Sequence, residues 1–206
     1  MTSNTTADSD RLVIISVSSS SKKSGKSTVA SHLVHELGAD YGLKVSSGGS
    51  HAGQRLIDDP AVIKKPGTDT GALIQAGAKH VQWVSAPPSE LRGELEKALS
   101  GFPTGGLLVV EGNSALLHLS PDFAVFLMTV PFEEFKPSAT VALEKADLVL
   151  VNLDGKLSGA DPGKLERLIR ERSTDATVIV YRDGKGLDDA LAATVRMARS
   201  KIRCGG

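Results

Sequence analysis

The stretch RLVIISVSSSSKKSGKSTVASHLVHEL, residues 11–37, decides the fold. It runs from an apolar segment through small and basic residues to Gly25-Lys26-Ser27-Thr28, and then into a segment with apolar residues at helical spacing. Strand, loop and helix in this order are the context of the phosphate-binding motif G-x-x-x-x-G-K-[ST], in which backbone N–H groups and the helix N-terminus surround phosphate oxygens. The stretch therefore predicts a phosphate loop over Ser20–Ser27.

This prediction gives individual loop residues separate roles. Lys26 is expected to face solvent in the free protein and to reach the β- and γ-phosphates of a nucleoside triphosphate, whereas Ser27 binds Mg²⁺. Thr28 is expected to contact the α-phosphate, and Gly25 lets the backbone approach closely. The predicted nucleotide-binding set is Ser20, Ser21, Lys22, Lys23, Ser24, Gly25, Lys26, Ser27 and Thr28.

Two positions of the loop depart from common patterns. Ser20 replaces the first glycine of the motif, and serine adopts a positive φ at greater cost, so we expect an altered loop or a lower affinity. Ser21 stands where nucleotide-sandwich dimers carry a lysine, so that kind of dimer is not predicted and other homodimers stay open. Lys22 and Lys23 either add positive charge near the phosphates or are solvated.

Short apolar runs alternate with longer amphipathic stretches along the rest of the chain, as in a mostly parallel sheet with helices on both faces. We predict a disordered tail over residues 1–10 and one doubly wound α/β domain of the P-loop NTPase type over 11–206. Seven strands are predicted, at Leu12–Val17, Leu43–Ser47, His80–Val84, Leu107–Glu111, Ala124–Thr129, Leu148–Asn152 and Thr177–Tyr181. Helices are predicted at Lys26–Leu37, Thr70–Ala76, Ser89–Leu99, Pro137–Ala146, Pro162–Arg172 and Leu187–Ile202. Residues 49–69 show neither the apolar period of a helix nor that of a strand, and they are predicted to form a functional loop.

Composition excludes several function classes. Lys plus Arg equals Asp plus Glu at 24 each, so no net charge attracts nucleic acid or an anionic membrane, and aromatic residues make up only 4%. No apolar run is long enough to span a bilayer, and the polar opening lacks the features of a secretory signal. The single cysteine, Cys204, permits no disulfide within the chain and is expected to be inert. We therefore expect a cytoplasmic protein.

Two acidic residues are candidates for the catalytic site. Glu111 ends a continuously apolar strand at the sheet edge where ligands bind in open α/β folds, so it is predicted to hold Mg²⁺ or to orient water, the alternative being a surface acid. Asp69 precedes a predicted helix and is either its cap or a residue that faces Mg²⁺ or a second substrate. Together with Lys26 they form the predicted catalytic set, and Ser27 and Glu111 are the predicted metal ligands.

Other polar residues leave more than one interpretation open. His51, Asp58 and Asp59 lie in the irregular segment and are either part of a nucleotide-responsive switch or solvated. His32 and His35 are expected to line the first helix, and no zinc site is predicted. The segment 151–154 has an asparagine and an aspartate, but it lacks the lysine and the spacing of the guanine-reading N-K-x-D element of GTPases, so the base is not assigned.

The loop K-K-S-G-K-S-T, residues 22–28, resembles the K-x-S-G-K-T-T loop of the MobB-type molybdopterin-guanine dinucleotide biosynthesis proteins. In that family a G-K-D-[ST] element, an A-G-A tripeptide and an apolar strand ending in E-G follow in order. This chain has Gly67-Thr68-Asp69-Thr70, then Ala76-Gly77-Ala78, then Leu107–Val110 followed by Glu111-Gly112. The resemblance spans about residues 11–115 and implies a protein that binds GTP or ATP with Mg²⁺, hydrolyses it slowly and assists a cofactor-biosynthesis enzyme.

Two other functions stay open. In a small-molecule kinase, the same loop holds the nucleotide while Lys64, Lys65 and Lys136 hold an anionic acceptor, and Asp59 or Asp69 positions the acceptor hydroxyl. In a non-catalytic domain, the nucleotide stabilises a conformation that binds a protein partner.

Overall fold

The computed structural model describes residues 11–48, 55–129, 135–153, 162–173, 175–182 and 185–204. The predicted tail at 1–10 lies outside the described residues. Within these ranges, no helix is long and apolar enough to cross a membrane.

The described chain alternates strands and helices. The strands are β1 Val13–Ser19, β2 Tyr41–Ser47, β3 Leu56–Ile57, β4 His80–Ala86, β5 Leu107–Glu111, β6 Phe123–Thr129, β7 Leu148–Asn152 and β8 Thr177–Tyr181. The helices are α1 Lys26–Leu37, α2 Pro60–Ile63, α3 Asp69–Gln75, α4 Pro88–Ser100, α5 Pro137–Glu144, α6 Pro162–Arg170 and α7 Lys185–Cys204, with a 3-10 turn at Asn113–Leu117.

The strands form one sheet in the order β3-β4-β2-β5-β1-β6-β7-β8. All neighbours are parallel except β3, which pairs antiparallel with β4. Strand β1, which leads into the predicted phosphate loop, lies between β5 and β6, near the middle of the sheet. Because parallel strands all end at the same edge, the polar residues that end β1, β2 and β5 are brought together there.

Helices cover both faces of the sheet, which confirms the predicted fold class. The two faces are visible within β5, where Val109 packs into the core under α1, α3 and α7, whereas Leu108 and Val110 pack into the core under α4. A third cluster joins α5 and α6 to β6 and β7 on the α4 side. The continuous apolar runs of β5 and β7 follow from this burial on both faces.

Three short elements were absent from the sequence-based prediction, and one of them is the 3-10 turn at Asn113–Leu117. The segment 49–69 was predicted to be irregular, but its described part contains β3 and the single-turn helix α2. The two residues of β3 are held by β4 and are too few to give a periodic signal. Within the described ranges the sheet therefore has eight strands, where seven were predicted. Strand β1 also extends to Ser19, two residues beyond its predicted end.

Candidate functional site

The predicted phosphate loop leaves the carboxyl end of β1 and enters α1 at Lys26. Gly25 precedes the helix with φ 92°, a left-handed conformation that glycine adopts without steric cost. The first turn of α1 has no acidic side chain, and Gly25 makes no side-chain cap. The free N–H groups and positive dipole end of α1 are therefore not opposed by a carboxylate of the helix itself.

Side-chain hydrogen bonds hold the start of the loop in place. Asn113 binds the backbone of Ser19 twice, accepting from its N–H at 2.9 Å and donating to its carbonyl at 2.7 Å. Ser20 Oγ accepts from the Thr129 N–H at 3.2 Å, and Ser21 Oγ lies 2.8 Å from Thr129 Oγ1. The loop is thus fixed from both strands beside β1, by the turn after β5 and by the end of β6.

The expected reason for an altered loop at Ser20 was wrong. Among the described non-glycine residues, only Lys23 has a positive φ, at 59°. Ser20 adopts an ordinary φ and uses its hydroxyl in a hydrogen bond. The conformational cost in this loop therefore falls on Lys23, since a residue with a Cβ is disfavoured in the left-handed region.

Lys26 is half-buried, and the expectation that it faces solvent was wrong. Its Nζ donates to Ser19 Oγ at 2.8 Å and lies 3.5 Å from the Ser21 carbonyl oxygen. Burial lowers the pKa of Lys26, the charge of Glu111 opposes this shift, and the charge of Lys44 adds to it. The ammonium group is held inside the loop, at the position from which a lysine can bind phosphate oxygens.

Three oxygen-bearing side chains meet at the start of α1. Ser27 Oγ donates to Asp69 Oδ1 at 2.5 Å and lies 3.4 Å from Glu111 Oε1. Glu111 is only 1% exposed, and its Oε2 is buried with no hydrogen-bond partner among the described residues. The structure therefore brings together Ser27, Asp69 and Glu111, which the sequence had marked separately.

Lys44 joins the two carboxylates of this site, and sequence reasoning did not identify it. Its Nζ donates to Glu111 Oε1 at 2.8 Å and to Asp69 Oδ2. In the parallel pairing of β2 with β5, Lys44 is the register partner of Glu111. The available signal was a lysine inside a strand of mostly small and apolar residues, because a charge buried there needs a partner.

The electrostatics of this cluster favour the ionised forms of Lys44 and Asp69. Burial lowers the pKa of Lys44, but the charge of Glu111 and the hydrogen bonds to Asp69 and Glu111 outweigh it, so the pKa is raised. Burial raises the pKa of Asp69, but the hydrogen bonds from Lys44 and Ser27 outweigh it, so the pKa is lowered. Lys44 is thus a cation held between two carboxylates.

The alternatives considered for the two acids were wrong. Thr68 is the N-cap of α3, its side chain accepting from the Gly71 N–H at 3.1 Å, so Asp69 is not the cap. Glu111 is buried and is not a surface acid. The Gly112 that follows Glu111 has φ 140°, and a Cβ there would lie 2.1 Å from the Val45 carbonyl oxygen. The E-G pair therefore needs its glycine so that β5 can turn against β2.

The remaining candidates lie apart from this cluster. Lys22, Lys23 and Thr28 are exposed, and Asp59 caps α2 by accepting from the Ala61 N–H at 2.9 Å. Five further residues take no part in the cluster. His32 is half-buried, and the other four are exposed: His35, Asp58, Lys64 and Lys136. The positions of His51, Asp154 and the Cys204 side chain lie outside the described residues.

The donor atoms of this cluster fit Mg²⁺. Magnesium prefers oxygen ligands and is usually bound by one or two carboxylates plus substrate phosphates, and the set here is Ser27, Asp69 and Glu111. The unpartnered Oε2 of Glu111 is a further acceptor that a hydrated cation can satisfy. No three His, Cys, Asp or Glu side chains of the described ranges group into a metal site. Water and substrate phosphates usually supply the other ligands of Mg²⁺.

Comparisons with known proteins identify the fold. No family model matches the chain, and no curated protein matches it significantly. Among solved structures, the hydrogenase maturation factor HypB from Archaeoglobus fulgidus is 16% identical, with 91% of this chain and 90% of that chain covered and a TM-score of 0.55. HypB from Helicobacter pylori in complex with nickel is 13% identical, with 93% and 89% covered and a TM-score of 0.56. At these identities the likeness concerns the fold alone, and the fold is the one that this chain shares with the two HypB proteins.

Proposed function

We propose that this protein binds a nucleoside triphosphate with Mg²⁺ at residues 20–28 and hydrolyses it slowly. The observation that supports the proposal is the contact of Ser27 with Asp69 and Glu111 directly beside Lys26 and the N-terminus of α1. A hydroxyl, two carboxylates and a lysine meet in a fold that binds ligands at this sheet edge. Lys26 binds the β- and γ-phosphates, and the N–H groups of the loop bind the remaining oxygens.

In this proposal Ser27, Asp69 and Glu111 hold the magnesium ion. The ion supplies positive charge that neutralises the phosphate oxygens. Lys44 donates to the same two carboxylates, so Lys44 and the cation compete for Asp69 and Glu111. Binding of nucleotide with metal therefore requires Lys44 to give up at least part of its ion pairing.

Glu111 is the residue proposed to act in turnover. Its Oε2 is a buried acceptor with no partner among the described residues, so it can accept a hydrogen bond from the attacking water and orient it. Water attack forms a bond to the γ-phosphorus as the bond to the β,γ-bridging oxygen breaks. The products are the diphosphate and inorganic phosphate.

The cellular role proposed is that of a MobB-like accessory factor in molybdenum cofactor biosynthesis, with a cofactor-biosynthesis enzyme as its partner and GTP or ATP as its nucleotide. The sequence elements of that resemblance support it because they converge in space. The K-K-S-G-K-S-T loop provides Ser27, G-T-D-T provides Asp69, and the E-G pair provides Glu111.

Transfer of the γ-phosphate to a small anionic metabolite is the second candidate. It is favoured by a cavity that opens beside Asp69 and is lined by Lys44 and Lys65. Lys64 and Lys136, the other lysines predicted to hold an acceptor, do not line it. A kinase would use this cavity for the acceptor, whereas a hydrolase would admit water.

Thermal shift with ATP and GTP, each with and without Mg²⁺, tests nucleotide binding. At 100 times Kd a bound nucleotide adds about 2.7 kcal/mol of stability, which raises Tm by roughly 5–10 °C in a chain of this size. Product analysis then separates the candidates, because hydrolysis releases phosphate without any acceptor. No shift with either nucleotide would contradict the proposal. Formation of the diphosphate together with a phosphorylated metabolite, without release of inorganic phosphate, would favour the kinase.

A further inference from the structure

A cavity of about 230 Å³ lies beside the carboxylate cluster, between β2, β4, α2 and the start of α3. It shares Lys44 and Asp69 with the proposed magnesium site, and its other walls include Val62, Lys65 and Trp83. Pockets for drug-sized ligands are usually about 300–1,000 Å³. This cavity therefore has room for a small molecule, or for one end of a larger one, next to the phosphate loop.

The charges that line the cavity favour an anion. Lys44 and Lys65 both line it, and Asp69 is the one carboxylate among the lining residues of the described chain. Asp69 is already occupied by hydrogen bonds from Ser27 and Lys44. The ammonium of Lys44 has three N–H groups and uses two for Asp69 and Glu111, which leaves one donor for a ligand.

The remaining walls suit a planar or apolar group. The indole of Trp83 lines the cavity together with Val62, and its Nε1 donates to Ser46 Oγ at 3.0 Å. This hydrogen bond fixes the polar edge of the indole on the neighbouring strand β2. The ring can then contact a flat ligand group, since aromatic rings favour stacked or edge contacts with other rings.

We propose that this cavity binds a small organic anion, a planar or apolar group bearing a carboxylate, in a site adjacent to the nucleotide. The proposal rests on the proposed function in one respect, the coupling of the two sites through Lys44. When Mg²⁺ and triphosphate engage Asp69 and Glu111, Lys44 gives up part of its pairing with these carboxylates and pairs with the anion in the cavity. The anion therefore binds more tightly to the nucleotide-loaded protein, and by linkage it strengthens nucleotide binding equally.

Trp83 provides the measurement because it is the only tryptophan of the chain. Its fluorescence is titrated with benzoate and with benzamide, a neutral probe of the same shape. Each titration is run with and without Mg²⁺ plus a non-hydrolysable triphosphate analogue. We expect a saturable fluorescence response to benzoate, with a Kd at least about 10-fold lower than that for benzamide. The neutral probe loses a charge-assisted hydrogen bond. The Kd for benzoate should fall by about 5-fold or more when Mg²⁺ and the triphosphate analogue are present, which is within the usual range of coupling between sites.

Two neighbouring lysines give a matched pair of variants. Lys65 lines the cavity and Lys64 does not, and both side chains are exposed. Lys65→Gln should weaken benzoate binding by about 2- to 5-fold, the loss of one exposed charge contact, and should leave nucleotide affinity unchanged. Lys64→Gln should leave both unchanged.

The outcomes separate this proposal from the proposed function. If nucleotide binds but Trp83 responds alike to benzoate and benzamide, or Lys65→Gln and Lys64→Gln behave identically, the anion site is wrong and the nucleotide site stands. If nucleotide fails to bind while benzoate still depends on Lys65, the proposed function is wrong and the anion site stands without its coupling. Equal benzoate affinity with and without bound nucleotide would overturn the coupling through Lys44.

Discussion

Strands β5 and β7 have the same design but end in different surroundings. Each has five residues, four apolar residues that pack on both faces of the sheet followed by one polar residue, Glu111 in LLVVE and Asn152 in LVLVN. All four apolar residues of β7 are buried, and in β5 only the first, Leu107, is partly exposed. Glu111 is 1% exposed and pairs with Lys44. The buried Oδ1 of Asn152 has no hydrogen-bond partner within the described part of the chain.

The position of each strand in the sheet explains the difference. Strand β5 lies between β2 and β1, so Glu111 faces Lys44 and the loop that leaves β1. Strand β7 lies between β6 and β8, where Thr129 and Tyr181 are the register partners of Asn152. An apolar strand sequence with a polar last residue thus predicts a buried strand. The neighbouring strands decide whether that last residue belongs to the candidate functional site.

The largest expected effect is that of Lys26→Met on nucleotide binding. Triphosphate affinity should fall by about 100-fold or more, because hydrogen bonds from a charged group to phosphate are lost. Tm should not fall, since burial lowers the pKa of Lys26 and the buried charge does not stabilise the free protein. Isothermal titration and thermal melting measure the two quantities. The exposed Lys22 gives the control, Lys22→Met, and equal loss in both variants would contradict a specific role for Lys26.

The comparison of the two strand ends is tested by Glu111→Gln and Asn152→Ala. Glu111→Gln should keep most of the triphosphate affinity and lower turnover by about 100-fold or more, as expected for a group that positions water. Asn152→Ala should leave turnover within about twofold, the range of substitutions away from the site. Phosphate release under saturating nucleotide measures both. Wild-type turnover in Glu111→Gln would remove Glu111 from the mechanism.

Lys44→Met tests whether Lys44 and the cation share the same carboxylates. Removing one partner of a buried ion pair costs about 3–5 kcal/mol, so the free variant should melt well below the wild type. Millimolar Mg²⁺ should restore part of the lost Tm in the variant and change the wild type less, because the freed carboxylates bind the ion. Lys79, an exposed lysine paired with Asp40, provides the control in Lys79→Met. A variant that melts like the wild type would show that Lys44 does not stabilise the cluster.

The pH dependence of stability follows from the shifted pKa values. The pKa of Asp69 is lowered from its ordinary 3.8, so its contribution is present above about pH 4 and is lost as pH falls through the lowered pKa. The pKa of Lys44 is raised from 10.5, so its contribution is present below about pH 10 and is lost as pH rises through the raised pKa. The Tm difference between wild type and Asp69→Asn should therefore be constant from about pH 5 to 9 and should shrink below pH 4. A Tm difference between wild type and Asp69→Asn that increases below pH 4 would contradict a lowered pKa of Asp69.

The smallest expected effects concern backbone conformation in the loop. Ser20→Gly should keep or tighten nucleotide binding, since glycine is the usual residue of the motif, although it loses the hydrogen bond of Ser20 Oγ to the Thr129 N–H. Lys23→Gly should leave Tm unchanged or slightly raised, because it removes the only positive φ of a described non-glycine residue. Melting and titration of the two variants measure these effects. Abolished binding in a folded Ser20→Gly protein would give Ser20 a direct role.

Much of the fold could be predicted from local pattern. Continuous apolar runs gave β5 and β7 their observed bounds, and the glycine-lysine-serine motif gave the start of α1. The loop, Asp69 and Glu111 were found as separate motifs. Lys44 was missed because its partners stand 25 and 67 residues away along the chain, and only the order of β2 beside β5 brings them together.

Hydrogen–deuterium exchange with Mg²⁺ and a non-hydrolysable triphosphate analogue tests most directly the claim that the β5 side of the sheet, and not the β7 side, is the triphosphate site. In the presence of Mg²⁺ and the analogue, the amides of residues 20–28 and of 67–71, around Asp69, should exchange at least about 10-fold more slowly. The reason is that ordering of a loop raises its opening free energy. Amides of residues 148–153 should be unchanged within about twofold. Unchanged exchange at 20–28, or stronger protection at 148–153 than at the loop, would contradict the account.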